Sequence, residues 1–152
     1  MTLQIAPTRW YSWDVTVSDE SGPLADIATS WWREQGAFSI DGETYRARRE
    51  GVLSGDFVVE GPDGVIARAE KTSIFRREFL IRHDGRSYTL RPRSMWGRAF
   101  VLLTGTQEIG SLAPKSLFSR KAAASLPDDL PLPVRAFVVW LTMIMWRRAQ
   151  SE

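Results

Sequence analysis

Val134-Arg135-Ala136-Phe137-Val138-Val139-Trp140-Leu141-Thr142-Met143-Ile144-Met145-Trp146-Arg147-Arg148 is a helical stretch that is apolar on every side. Pro133 before it suits a first helical position, and Arg147 and Arg148 complement the negative end of the helix dipole, so the pattern predicts a helix over about 134–148. Eleven uncharged residues separate Arg135 from Arg147, which is about 16 Å of helix against the ~30 Å of a bilayer core. That is too short to span. A helix without a polar face has to be covered all round, and in a chain otherwise made of strands this means inside a closed or nearly closed sheet. The competing reading is an interfacial or tail anchor, because Trp140, Trp146 and the terminal arginines also resemble a membrane-interface signature. Burial is the expected outcome.

Upstream of this helix the sequence reads as strands and turns. Asp41-Gly42 joins Ile40 to Glu43-Thr44-Tyr45-Arg46-Ala47-Arg48-Arg49 as a two-residue hairpin, Gly61-Pro62-Asp63-Gly64 separates Phe57-Val58-Val59-Glu60 from Val65-Ile66-Ala67, and His83-Asp84-Gly85 joins 73–82 to 86–91. A fourth hairpin is expected from 99–103 and 108–112 around Gly105. Phe79 and Ile81 alternate with Glu78, Leu80 and Arg82, the pattern of a sheet with one wet face, so most of these arginines should point outward. Trp10 to Val17 reads as a further strand followed by loop chemistry at Ser18–Pro23. Ile27 to Trp32 reads as a strand or the start of a short helix. Short strands at this spacing predict a sandwich or barrel, with no helix before about Leu117.

At 152 residues the chain is expected to form one domain over 1–152, burying about 70% of the surface its unfolded form exposes. The absence of Cys excludes disulfides, thiolate metal sites and cysteine nucleophiles. Met1 to Pro7 has neither a basic segment nor an apolar run of signal-peptide length, so an unprocessed, cytoplasmic chain is expected. Net charge is only +2, yet 1–45 carries −5 and 68–121 carries +8. Such a basic segment attracts phosphates on lipid headgroups or nucleic acid, or it is the solvated outer face of strands.

A meander of hairpins with Asp-Gly turns, ended by an apolar helix after Leu126-Pro127-Asp128-Asp129-Leu130-Pro131-Leu132-Pro133, resembles the tubby C-terminal fold of tubby proteins, phospholipid scramblases and LURP-one-related proteins. The stretch from Ala122 to Phe137 also resembles the C-terminal signature of small bacterial relatives of unknown function. The resemblance implies a mainly β protein, an antiparallel barrel of hairpins wrapped around a buried, hydrophobic C-terminal helix. Tubby domains hold phosphoinositides through basic side chains, but no segment here matches that site residue by residue. The cysteine-rich and calcium-binding segments of scramblases have no counterpart, so neither lipid scrambling nor calcium binding is implied.

No catalytic constellation is visible. His83, the only histidine, adjoins a turn, where an exposed or turn-bonding imidazole is the common case. No zinc spacing occurs, and the glycines match neither a P-loop nor a dinucleotide fingerprint, so no metal and no cofactor is expected. Asp128 and Asp129 suit the positive end of the helix better than acid/base work. The best binding candidates are Arg76, Arg77, Arg91, Arg93, Arg98, Lys115, Arg120 and Lys121, with Trp96 and Phe118 interleaved. Basic residues beside aromatics suit anionic headgroups, and the same composition can hold single-stranded nucleic acid, a weaker candidate. Packing in the core or rim is the expected place of Trp96 and Phe118. Of Trp31 and Trp32, a strand would expose one. The leading expectation is a non-enzymatic binding module for an anionic phospholipid or membrane surface, peripheral to the membrane, or for a protein partner. The alternatives are an enzyme with an unrecognised site at a barrel mouth and a structural subunit of a larger assembly.

Overall fold

The computed structural model describes residues 2–9, 13–51, 55–73, 77–116 and 121–151. Twelve antiparallel strands close into a barrel in which each strand pairs with its neighbours in sequence and the first pairs with the last. They are β1 (Thr2–Pro7), β2 (Val15–Asp19), β3 (Gly22–Ser30), β4 (Gln35–Ile40), β5 (Glu43–Arg49) and β6 (Phe57–Gly61), then β7 (Gly64–Lys71), β8 (Phe79–His83), β9 (Arg86–Pro92), β10 (Phe100–Thr104), β11 (Gln107–Pro114) and β12 (Ala122–Ser125). One helix, α1 (Leu132–Ser151), follows. Side chains alternate in and out along the strands: Leu3 and Ile5, Phe38 and Ile40, Phe79 and Ile81, Tyr88 and Leu90 point into one buried core. On the outer face Val58 is also buried, because it lies in register between Arg48 and Arg68, whose stems cover it while their guanidinium groups pair with Glu60 and Glu50.

The helix fills the barrel. Every residue from Ala136 to Trp146 is buried, including Thr142, whose hydroxyl donates to the Val138 carbonyl at 2.9 Å. Trp140 packs against Phe57 at 5.3 Å, Phe137 at 6.3 Å and Phe38 at 6.4 Å between ring centroids. The β4 backbone passes close to it: a Cβ on Gly36 would stand 2.6 Å from Trp140 Nε1, so only glycine fits there. This burial overturns the anchor reading, and no helix among the described residues is long and apolar enough to cross a membrane. The helix extends beyond 134–148 at both ends.

Several strand expectations are corrected. Residues 2–7, read only for targeting signals, form β1, with Leu3 and Ile5 facing the core. The strand read from Trp10 begins at Val15, and residues 10–12 lie outside the described residues. Ile27 to Ser30 belongs to a strand, because Ala25 and Ile27 keep a period of two into the core. In the third hairpin the described strand is Phe79–His83, residues 74–76 of the stretch read from Ser73 lie outside the described residues, and Ala122–Ser125 is the closing strand.

Because consecutive strands are neighbours, connections alternate between the two ends of the barrel. At one end lie five two-residue turns, at 20–21, 41–42, 62–63, 84–85 and 105–106, with the 126–131 lead-in to the helix. Asp41 and Asp84 adopt φ of 50° there, each followed by a positive-φ glycine, as a hairpin of this kind requires. At the other end lie the long connections 8–14, 50–56, 72–78, 93–99 and 115–121, together with 31–34. In each of the five seven-residue connections the first N–H donates to the last carbonyl: Thr8 to Asp14 (2.8 Å), Glu50 to Asp56 (2.9 Å), Thr72 to Glu78 (3.3 Å), Arg93 to Ala99 (2.8 Å) and Lys115 to Lys121 (2.9 Å).

This regularity reflects three four-stranded repeats, β1–β4, β5–β8 and β9–β12. A register shift falls at the same place in the second hairpin of each, at Val17/Ser18, Val59/Glu60 and Leu102/Leu103. In the first repeat Asp14 Oδ1 accepts from the Thr29 N–H at 3.1 Å, and in the second Asp56 Oδ1 accepts from the Lys71 N–H at 2.9 Å. The equivalent positions of the third repeat are Ala99 and Pro114. Acceptor and donor are lost together there, leaving no unpaired N–H.

Candidate functional site

The helix emerges among the long connections, and polar contacts fix it to them. Trp146 Nε1 donates to the Arg98 carbonyl at 2.6 Å, and Arg148 donates from Nε and Nη2 to the two Glu34 carboxylate oxygens at 2.8 and 2.7 Å. Arg49 forms a further ion pair with Glu34 at 3.0 Å. Burial alone would raise the Glu34 pKa, but the hydrogen bonds and charges of Arg148 and Arg49 outweigh it and hold the carboxyl below its ordinary range. Glu34 itself sits at φ 48°, in the left-handed region, within a four-residue connection.

On one side of this end an open hollow of about 530 Å³ is lined by Arg77, Glu78, Arg91, Pro92, Arg93 and Met95. The β8–β9 register explains its basicity. The ladder ends at Phe79 opposite Leu90, and Arg77 before that pair and Arg91 and Arg93 after it line the hollow just beyond its end. Two acids temper the charge: Glu78, in the lining, accepts from the Thr72 hydroxyl at 2.8 Å, and Glu108, on β11, accepts from Arg93 at 2.5 Å. Arg91 lines the hollow from the outer, exposed face of β9. Beside the hollow, Met95 is 83% and Trp96 93% exposed. The expectation that Trp96 packs into the core or rim is therefore corrected. A tight bond from the Gly97 N–H to Ser94 Oγ, 3.1 Å, turns the loop at its apex.

The basic set divides accordingly. Arg77, Arg91 and Arg93 come together, with Trp96 adjacent in the loop. Arg98 is half-buried with its guanidinium 5.7 Å over the Trp146 ring, a packing position at the helix end. Lys115 and Lys121 are exposed on the next long connection, joined by its closing bond, and do not line the hollow. Arg76, Arg120 and Phe118 lie outside the described residues. His83 Nδ1 lies 2.7 Å from the Ile66 carbonyl of the neighbouring strand β7, a part-buried cross-strand contact in place of the exposed or turn-bonding imidazole expected. Asp129 lies 3.7 Å from Arg86 at the lead-in to the helix.

The barrel lumen holds the helix and the aromatic cluster around Trp140, so the hollow lies outside the lumen. Two rim features escaped the reading of sequence. Met95 was not among the candidates, and Trp32 was not assigned to a particular surface. Trp31 packs edge-on to Trp13 at 5.6 Å beneath the Arg147 guanidinium, whereas Trp32 is 100% exposed.

What these features define is a class of architecture, a twelve-stranded barrel plugged by its own C-terminal helix with a basic hollow at the rim. No family model, curated protein or solved structure matches the chain.

Proposed function

We propose that this protein is a non-enzymatic module that binds anionic phospholipid at a membrane surface, peripherally and from the cytoplasmic side. The observation that carries the reading is the gathering of Arg77, Arg91 and Arg93 around one open hollow beside exposed Met95 and Trp96. Guanidinium groups suit phosphate oxygens, and an exposed indole suits the headgroup level of a bilayer. The reading includes the tubby-like resemblance, in which a barrel of this kind holds a phosphorylated headgroup through basic side chains, although by residues that are not matched here.

Loss of Arg77 and Arg91 together is expected to lower partitioning onto phosphatidylcholine vesicles containing phosphatidylserine by roughly 30-fold, taking about 1 kcal/mol for each basic residue near a charged leaflet. Cosedimentation at low salt measures this directly. Arg46→Ala with Arg86→Ala removes the same charge from exposed positions away from the hollow. Equal losses in the two double variants would reduce the effect to net charge and remove the hollow from the account.

A further inference from the structure

We infer that the barrel docks end-on, with the long-connection end against an anionic bilayer and Met95, Trp96 and Trp32 entering its interfacial layer. The inference rests on the lipid-surface reading above and adds to it a contact face, an orientation and the residues that penetrate.

Two independent features converge on that end. The first is charge. Among the described residues, its six connections hold seven Lys and Arg (Arg9, Arg33, Arg77, Arg93, Arg98, Lys115, Lys121) against five acids, and the helix adds Arg147 and Arg148. The opposite end holds Glu20, Asp41, Asp63, Asp84, Asp128 and Asp129 in its connections, against Arg135 in the first turn of the helix and Arg86, which lies 3.7 Å from Asp129. The molecule is thus polarised along the barrel axis, and a negatively charged surface draws one end toward it and repels the other.

The second feature is where large apolar side chains meet water. Met95 and Trp96 occupy the β9–β10 connection and Trp32 the β3–β4 connection, all at the basic end. In a ring of twelve strands these two connections are six strands apart, so the exposed indoles stand across the barrel from each other. The helix end, with Arg147 and Arg148, lies between them. Two apolar points on opposite sides of a basic centre fit a flat, anionic surface with apolar material beneath it. A bilayer has that form, and indole and guanidinium side chains both settle at its headgroup level.

The sequence of this connection also repeats. Ser94-Met95-Trp96-Gly97-Arg98 has counterparts in sequence at Ser73-Ile74-Phe75-Arg76-Arg77 and Ser116-Leu117-Phe118-Ser119-Arg120, each within a seven-residue connection closed by the same backbone bond. The middle residues of those two counterparts lie outside the described residues, so the inference stands on the Met95-Trp96 connection and Trp32.

The chain lacks cysteine, so a single introduced one can be labelled uniquely. Met95→Cys, Trp32→Cys and Thr106→Cys, the last on an exposed turn at the acidic end, are each coupled to an environment-sensitive nitrobenzoxadiazole group. They are then mixed with phosphatidylcholine/phosphatidylserine vesicles, and flotation records binding in the same samples. The expected result is a blue shift and brightening at positions 95 and 32 and an unchanged spectrum at 106. If vesicles are bound while 95 and 32 stay unshifted, or while 106 shifts, the end-on orientation is overturned and the lipid-surface reading survives. If none of the labelled proteins nor the parent chain floats, both are overturned.

Discussion

Trp140→Ala is expected to cost about 3–5 kcal/mol of folding stability, the range for deleting a large buried aromatic side chain, and so to consume much of the stability of a domain this size. The indole is fully buried at the centre of the lumen, touching rings from β4, β6 and its own helix, and no neighbour can collapse into the space without breaking the barrel's register. Trp140→Phe is a much milder change. It keeps a ring against Phe57 and removes the indole N–H, which is buried against Gly36 without an acceptor, so its cost is expected to stay below about 1.5 kcal/mol. Urea unfolding measures both, with Trp32→Ala, at a fully exposed indole, as the reference near zero. Equal stabilities for Trp140→Ala and Trp32→Ala would mean that the helix does not fill the barrel.

The next largest effect is expected at Glu34. Glu34→Gln removes the carboxylate that Arg148 and Arg49 share at the helix exit, and hydrogen bonds to charged groups of this kind are each worth about 1.5–3 kcal/mol. The pH dependence follows from the depressed pKa. The contribution of Glu34 is complete above its ordinary value of 4.5 and is lost as pH falls through the lower value it has in the folded protein. Unfolding curves of the parent and Glu34→Gln are therefore expected to differ at neutral pH and to converge in acid, where protonated glutamic acid resembles the amide. A difference that persists unchanged into acid would assign the effect to something other than this charge. The exposed pair Arg82–Glu70 on the outer face carries no such expectation, since such pairs contribute about 0–1 kcal/mol.

The helix and the tight turns were legible because their signals are local. Asp41-Gly42 and Asp84-Gly85 demand a particular backbone, and eleven uncharged residues in a row demand cover. The strands that close the barrel were not legible in the same way. Ala122–Ser125 is short and made of residues with weak strand preference, and it is a strand only because β1 and β11 pair with it on both sides. The three repeats were hidden for a related reason. What they share is the position of a register shift and the length of a loop, while the Asp14–Thr29 and Asp56–Lys71 bonds are replaced by an Ala99/Pro114 pair that has no polar atoms to match.

The candidate site was half legible. Composition selected Arg77, Arg91 and Arg93 but grouped them with Arg98, Lys115 and Lys121 merely because all lie in one basic stretch. The distinction was present in the hairpin: counting outward from Asp84-Gly85, Arg77 and Arg91 to Arg93 are the basic residues at the far end of its two strands, where the ladder stops at Phe79 and Leu90. The exposure of Trp96 was not available from composition, because a tryptophan is ordinarily well buried, and only its place at the apex of a long connection sets it apart.

Flotation of the unmodified protein with neutral and with phosphatidylserine-containing vesicles, each at low and at high salt, tests the membrane-surface reading most directly. Recovery with the anionic vesicles at low salt, falling as salt screens the rim and absent with neutral vesicles, is the expected result. Recovery with neither kind of vesicle, or with both alike regardless of salt, would contradict it.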